Sequence, residues 1–113
     1  MNVRLIPVSS KAAVLCFVDA VKNYPDTQAR NEFVAMFEGA IEDWYFQEVD
    51  GRSYIIAVTQ GDRVSIDSAF AKYKDLDQPF FNWFRDQILL LTGIDMREQP
   101  GGERSELLFE FAE

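Results

Sequence analysis

Residues 41–59 read IEDWYFQEVDGRSYIIAVT, two β-rich runs on either side of Asp50-Gly51. Aspartate followed by glycine accepts the positive φ angles that both central positions of a type I′ turn require, and that turn's twist matches the strands it joins. A two-residue turn there sets Val49 against Arg52. The register then pairs Phe46 with Ile55, Trp44 with Ala57, Tyr45 with Ile56 and Gln47 with Tyr54. Large hydrophobes fall on both faces of this hairpin, whereas a hairpin with one wet face alternates cleanly between apolar and polar. Something must cover its second face.

Upstream, residues 3–8 alternate Val3, Leu5 and Pro7 against Arg4, Ile6 and Val8, again with apolar groups on both faces, and predict a first strand. Ser9 or Ser10 can cap the helix that follows, in which Val14, Phe17, Val18 and Val21 form one stripe at helical spacing. Asn23-Tyr24-Pro25 stops it. A second helical piece begins after Asp26, sets Ala29, Phe33, Met36 and Phe37 on one face, and ends at Gly39, the residue type preferred for a left-handed cap.

Downstream of Gly61-Asp62 the pattern turns helical from Ile66 to Tyr73 and breaks at the polar run 74–77. It resumes with Asp77 as the expected cap and Pro79 in the first helical turn. Phe80, Phe81, Phe84, Ile88 and Leu91 share a face, and Gly93 ends the helix. A polar loop through Pro100-Gly101-Gly102 leads to residues 106–112, where Leu107, Phe109 and Phe111 alternate with Leu108, Glu110 and Ala112. The expected strands are thus 3–8, 41–49, 52–59 and 106–112. Their order with the helices is βαββαβ, the α+β ferredoxin-like topology: a four-stranded antiparallel sheet with helices on one face.

At 113 residues the chain suits one domain with one core, spanning 1–113. Apolar residues make up 48% of it, including ten Phe, which is more than an unstructured acidic chain carries. The lone Cys16 and the lack of a signal-peptide pattern point to a reducing cytoplasm. The apolar run from Ala12 to Val18 is closed by Asp19, too short to span a bilayer, so no membrane partner is expected. Nineteen acidic residues against eleven basic give a net charge of −8, which disfavours nucleic acid and anionic lipid.

The order of elements, the short length and the run Glu38-Gly39-Ala40-Ile41-Glu42 leading into the Asp50-Gly51 hairpin together resemble the dimeric α+β barrel superfamily. Within it, Gly39 to Asp62 is more similar to a family of uncharacterised bacterial proteins than to the antibiotic-biosynthesis-type monooxygenases. The resemblance implies a homodimer in which the uncovered faces of two sheets close a barrel. The residues imply the same, since the hairpin is apolar whichever face points outward: Tyr45, Tyr54, Ile56 and Val58, or Trp44, Phe46, Ile55 and Ala57. Ile6, Val8 and Leu108 are expected to extend whichever set faces outward.

With no histidine, the commonest general base, transition-metal ligand and haem ligand are missing, and neither metal nor cofactor is expected. Gly101-Gly102 precede a strand pattern, not a helix N-terminus, and read as a loop and not as a phosphate cradle. Cys16 has no cation on its own helical face to make it a nucleophile and reads as a packed or surface thiol. Glu42 and Asp43 form an acidic pair at a strand end, a candidate proton-transfer site at a pocket mouth or simply solvated carboxylates. Trp44, Tyr54, Phe81 and Trp83, with Glu42, are the candidate pocket for a small apolar ligand, although core packing asks for the same side chains. Arg4 and Glu110 are a candidate ion pair within the dimer interface. The expected function is that of a non-catalytic or small-ligand-binding dimer. The alternative, carried by the resemblance, is a cofactor-independent monooxygenase or isomerase acting on an aromatic small molecule.

Overall fold

A computed structural model describes residues 1–37, 41–98 and 105–110. Three strands, β1 (Asn2–Val8), β2 (Ile41–Val49) and β3 (Arg52–Gln60), form one antiparallel sheet in the order β1-β3-β2. Four helices accompany it: α1 (Lys11–Lys22), α2 (Thr27–Ala35), α3 (Arg63–Lys72) and α4 (Pro79–Thr92).

The hairpin forms as its turn chemistry predicts. Asp50 and Gly51 take φ of 52° and 75°, and Val49 faces Arg52, with every cross-strand pair down to Trp44 and Ala57 in the expected register. Side-chain oxygens start the helices. Ser10, Asp26 and Asp62 accept from the backbone N–H three residues on, at Ala13, Ala29 and Ser65. For α4 the cap is Gln78 and not the expected Asp77, because the Phe81 N–H donates to the Gln78 side-chain Oε1 at 2.8 Å while Asp77 instead accepts from the Asn82 side-chain amide. Gly93 closes that helix in the left-handed region, as expected, its N–H donating to the Leu89 carbonyl at 2.8 Å.

Two core regions follow from these elements. In the first, Ile6, Ile55 and Ala57 on one face of the sheet meet Val14 of α1, with Trp44 and Phe46 packed alongside. In the second, Ala29 and Phe33 of α2 meet Phe80 and Phe81 of α4. This second region is a ring lattice: Tyr24 lies edge-on to Phe80 at 4.9 Å, Phe33 stacks on Phe81 at 5.9 Å, and Tyr73 stacks on Phe81 at 5.4 Å. Gln78 is buried within it and ties α2 to α4, its amide donating to the Ala29 carbonyl at 2.6 Å.

The register decides which hairpin face is covered. Trp44, Phe46, Ile55 and Ala57 point to the helices, and Tyr45, Tyr54, Ile56 and Val58 point away. On β1 the expectation needs correction: Ile6 and Val8 pack inward, and it is Val3 and Leu5 that extend the outward set. Arg4 also faces inward and bonds Glu42 rather than Glu110.

The expected fourth strand, 106–112, does not appear among the described residues. Residues 105–110 carry no strand, and Leu107, Leu108 and Phe109 there are 71–84% exposed. The start of the segment is tied to β1, where the Val3 N–H donates to Ser105 Oγ at 2.9 Å and the Ser105 N–H donates to Asn2 Oδ1 at 3.0 Å. The expected cap at Gly39, the Pro100-Gly101-Gly102 loop, and Phe111 and Ala112 at the end of that strand lie outside the described residues. What the described residues form is an α+β arrangement of one three-stranded antiparallel sheet and four helices.

Candidate functional site

Where the inward face of the sheet runs out beneath α2 and α3, a cavity of about 400 Å³ opens. Its walls are Phe33 of α2, Phe37 just beyond it, and Phe70 and Tyr73 at the end of α3. Its floor is the strand pair Glu42 and Thr59, held opposite one another by the hairpin register. At the rim, Val34 and Ile41 are 62% and 65% exposed. Mostly apolar walls around a few converging polar groups are the usual make-up of a small-molecule site, and the volume lies in the usual range.

The polar floor is unevenly satisfied. Arg4 donates through Nη2 to Glu42 Oε1, and its guanidinium lies over the Phe70 ring at 5.3 Å, so the Glu42 charge is balanced from within the protein. Thr59 is only 3% exposed, yet its Oγ1 has no hydrogen-bond partner. Its neighbour across the strands, Asn2, is 2% exposed and leaves Nδ2 unpaired, and Arg4 Nε is unpaired as well. A buried polar atom without a partner typically costs about 1–3 kcal/mol, so native proteins leave few of them. Three on adjacent inward positions of one sheet end set this region apart from the rest of the core.

Tyr73 separates this cavity from a narrow cleft of about 40 Å³ that Arg4, Glu42 and Trp44 border on the far side. Burial, and then the negative charge of Glu42, push the Tyr73 phenol well above the ordinary tyrosine range, against a smaller opposing effect of Arg4. Tyr73 is a neutral phenol at every physiological pH.

Of the five residues singled out from sequence, Glu42 and Trp44 come together at the adjoining cleft and the other three lie elsewhere. Glu42 lines the cavity. Trp44 borders the adjoining cleft and stacks on Phe17 at 5.5 Å. Tyr54 lies on the opposite face of the sheet, paired with Gln47 and Pro7. Phe81 is fully buried in the helix lattice, and Trp83 packs there on Tyr24 at 4.9 Å and Phe80 at 5.7 Å. Glu42 and Asp43 are adjacent in one strand, so the pleat sends them to opposite faces, though both border a concavity of about 420 Å³ with Trp44, Phe17 and Phe84. Cys16 is exposed and free.

Thr59 and the four aromatic walls were not singled out. The hairpin register already sets Thr59 opposite Glu42, a signal that was available. The walls come from two helices far apart in sequence and had none.

A larger concavity, about 600 Å³, lies between the 74–77 turn and α4, but its lining is polar throughout and charged except at Asn82. Its two arginines are already engaged: Arg85 forms a double bond-pair with Asp95 at 2.7 and 2.6 Å, and Arg97 donates to the Leu76 carbonyl. Lacking apolar walls, it has little to hold an organic ligand. Among the described residues no group of three or more His, Cys, Asp or Glu is placed to hold a metal, and no helix is long and apolar enough to cross a membrane. Comparison with protein-family models, with curated proteins and with solved structures finds no match to this chain.

Proposed function

We propose that this chain is a small-ligand-binding domain that works as a homodimer, its ligand held between the aromatic ends of α2 and α3 and the floor at Glu42 and Thr59. The carrying observation is the Thr59 hydroxyl, buried and unpartnered at the bottom of a cavity of about 400 Å³. A ligand that bonds it removes a cost the empty fold bears. The test is a nuclear magnetic resonance screen of small aromatic molecules against the labelled protein. Shifts concentrated at Glu42, Thr59, Phe70 and Tyr73 are expected, and hits that map only to other surfaces would reject the site.

The homodimer reading rests on the outward sheet face. Val3, Leu5, Tyr45, Tyr54, Ile56 and Val58 lie side by side there, with Leu5 and Tyr45 62% and 57% exposed. A contiguous apolar face of this kind on a soluble protein marks an interaction surface, and two-fold self-pairing covers it in both copies at once. Charge supports a second copy as the occupant. Asp43 sits on that face near the open end of the hairpin and Arg52 on the same face at its turn, so antiparallel stacking of two sheets brings each Asp43 towards the partner's Arg52.

The same proposal includes the ferredoxin-like form of the fold. The order β1-β3-β2 is the one that topology requires of its first three strands, and the outer edge of β1 is where its fourth would add. The bond from Val3 to Ser105 supports residues 106–112 as that strand, the arrangement from which dimeric α+β barrels are built.

A further inference from the structure

The cavity's polar groups also specify what kind of molecule it accepts, given that it is a ligand site. We infer that the ligand is an uncharged molecule with a flat apolar body and a head that both donates and accepts a hydrogen bond, of the primary carboxamide class, and that Thr59 is the residue that selects it.

The charge argument comes first. Glu42 is the one charged side chain lining the cavity among the described residues, and Arg4 already bonds its Oε1. A cationic head finds that carboxylate neutralised. An anionic head meets Glu42 with no cation among the described lining residues to offset it, in a chain of net charge −8. An uncharged head escapes both penalties.

Hydrogen-bond inventory then narrows the head. Glu42 keeps Oε2, which only accepts, and Thr59 Oγ1 both donates and accepts. The two belong to facing residues of a registered strand pair, so their Cβ atoms are about 5 Å apart. A group whose N–H donates to Glu42 while its carbonyl accepts from Thr59 spans that gap; a carboxamide carries both on one carbon. Tyr73, held neutral, lines the cavity without adding charge. The body is set by the walls, since Phe33, Phe37, Phe70 and Tyr73 favour a planar ring system against their faces and edges.

Three probes of one shape separate these contributions: naphthalene-2-carboxamide, naphthalene-2-carboxylate and 2-methylnaphthalene, each titrated by nuclear magnetic resonance into the wild type, Thr59→Val and Thr59→Ser. Valine keeps the volume and β-branching of threonine and suits a strand, and serine returns the hydroxyl. The carboxamide is expected to bind about tenfold more tightly than either other probe. Thr59→Val should remove that advantage, leave 2-methylnaphthalene unchanged, and be rescued by Thr59→Ser. Carboxylate binding as tight as carboxamide binding overturns the uncharged head. Equal carboxamide affinity in the wild type and Thr59→Val overturns the role of Thr59. If 2-methylnaphthalene binds the cavity as well as the carboxamide does, the site stands and the assigned class falls; if no probe shifts the cavity residues, both fall.

Discussion

Gly51 shows what a single position contributes when only its backbone conformation matters. An added Cβ meets nothing within 4 Å, so space is no obstacle there, but φ is 75°. Exchange of Gly51 for Val therefore probes conformation alone, and a β-branched residue in the left-handed region should cost about 1–2 kcal/mol. A lowered midpoint in urea checks it, and an unchanged midpoint would contradict the turn geometry. Asp95 probes charge in the same isolated way. Its bonds to the Arg85 guanidinium, and then to the Arg97 N–H, hold the carboxyl at about 2, below its usual 3.8. A depressed folded value means the ionised form stabilises the fold above about pH 4 and stops doing so as pH falls towards 2. Asp95→Asn should thus be less stable than the wild type at pH 7, with the gap closing between pH 4 and 2 in paired denaturant melts. A gap that does not depend on pH would show that the carboxylate charge is not what the pair contributes.

Among the elements, those with local chemistry were readable and those needing distant partners were not. Asp50-Gly51 carries its own turn, and Ser10, Asp26 and Gly93 carry their own caps, so the hairpin and the bounds of three helices follow from short stretches. The α4 start was misplaced by one residue because Asp77 is the better cap by type, whereas Gln78 wins by a contact outside its own helix, the buried bond to Ala29. Replacing Gln78 by Ala removes both that bond and the cap at Phe81, and is expected to cost about 2–3 kcal/mol. Asp77→Ala, which loses only an exposed bond to Asn82, should cost far less. Thermal melts of the two variants decide between the caps. The fourth strand was read from the alternation of residues 107–112, but alternation fixes only which side chains share a face and not which edge a strand pairs with; among the described residues Ser105 bonds Asn2 and Val3 at the edge of β1. The candidate site shows the same limit. Glu42 and Thr59 face each other through the hairpin, but Phe81 and Trp83 could not be told from Phe33 and Phe70 by type, because a core and a cavity wall use the same side chains.

For the molecule as a whole, the described helices lie against one face of the sheet and leave the other open, and that open face carries its own test of how two copies meet. Stacking two such sheets about an axis that lies between them and runs across the strands reverses strand direction. The open end of each hairpin then lies over the turn end of the other. Asp43, opposite Val58, and Arg52, opposite Val49, sit near those two ends on neighbouring strands, so each copy offers one charge of each sign to its mate. Asp43→Arg places two arginines together at both symmetric positions, and like charges brought together in an interface cost several kcal/mol. Asp43→Arg combined with Arg52→Asp restores opposite signs while leaving every apolar contact unchanged. Light scattering at low micromolar concentration should give twice the 13.0 kDa chain mass for the wild type, a lower mass for the single variant, and the dimer mass again for the double variant. A wild type that stays at 13.0 kDa defeats the dimer, while a dimer that tolerates Asp43→Arg keeps the assembly and rejects this antiparallel stacking.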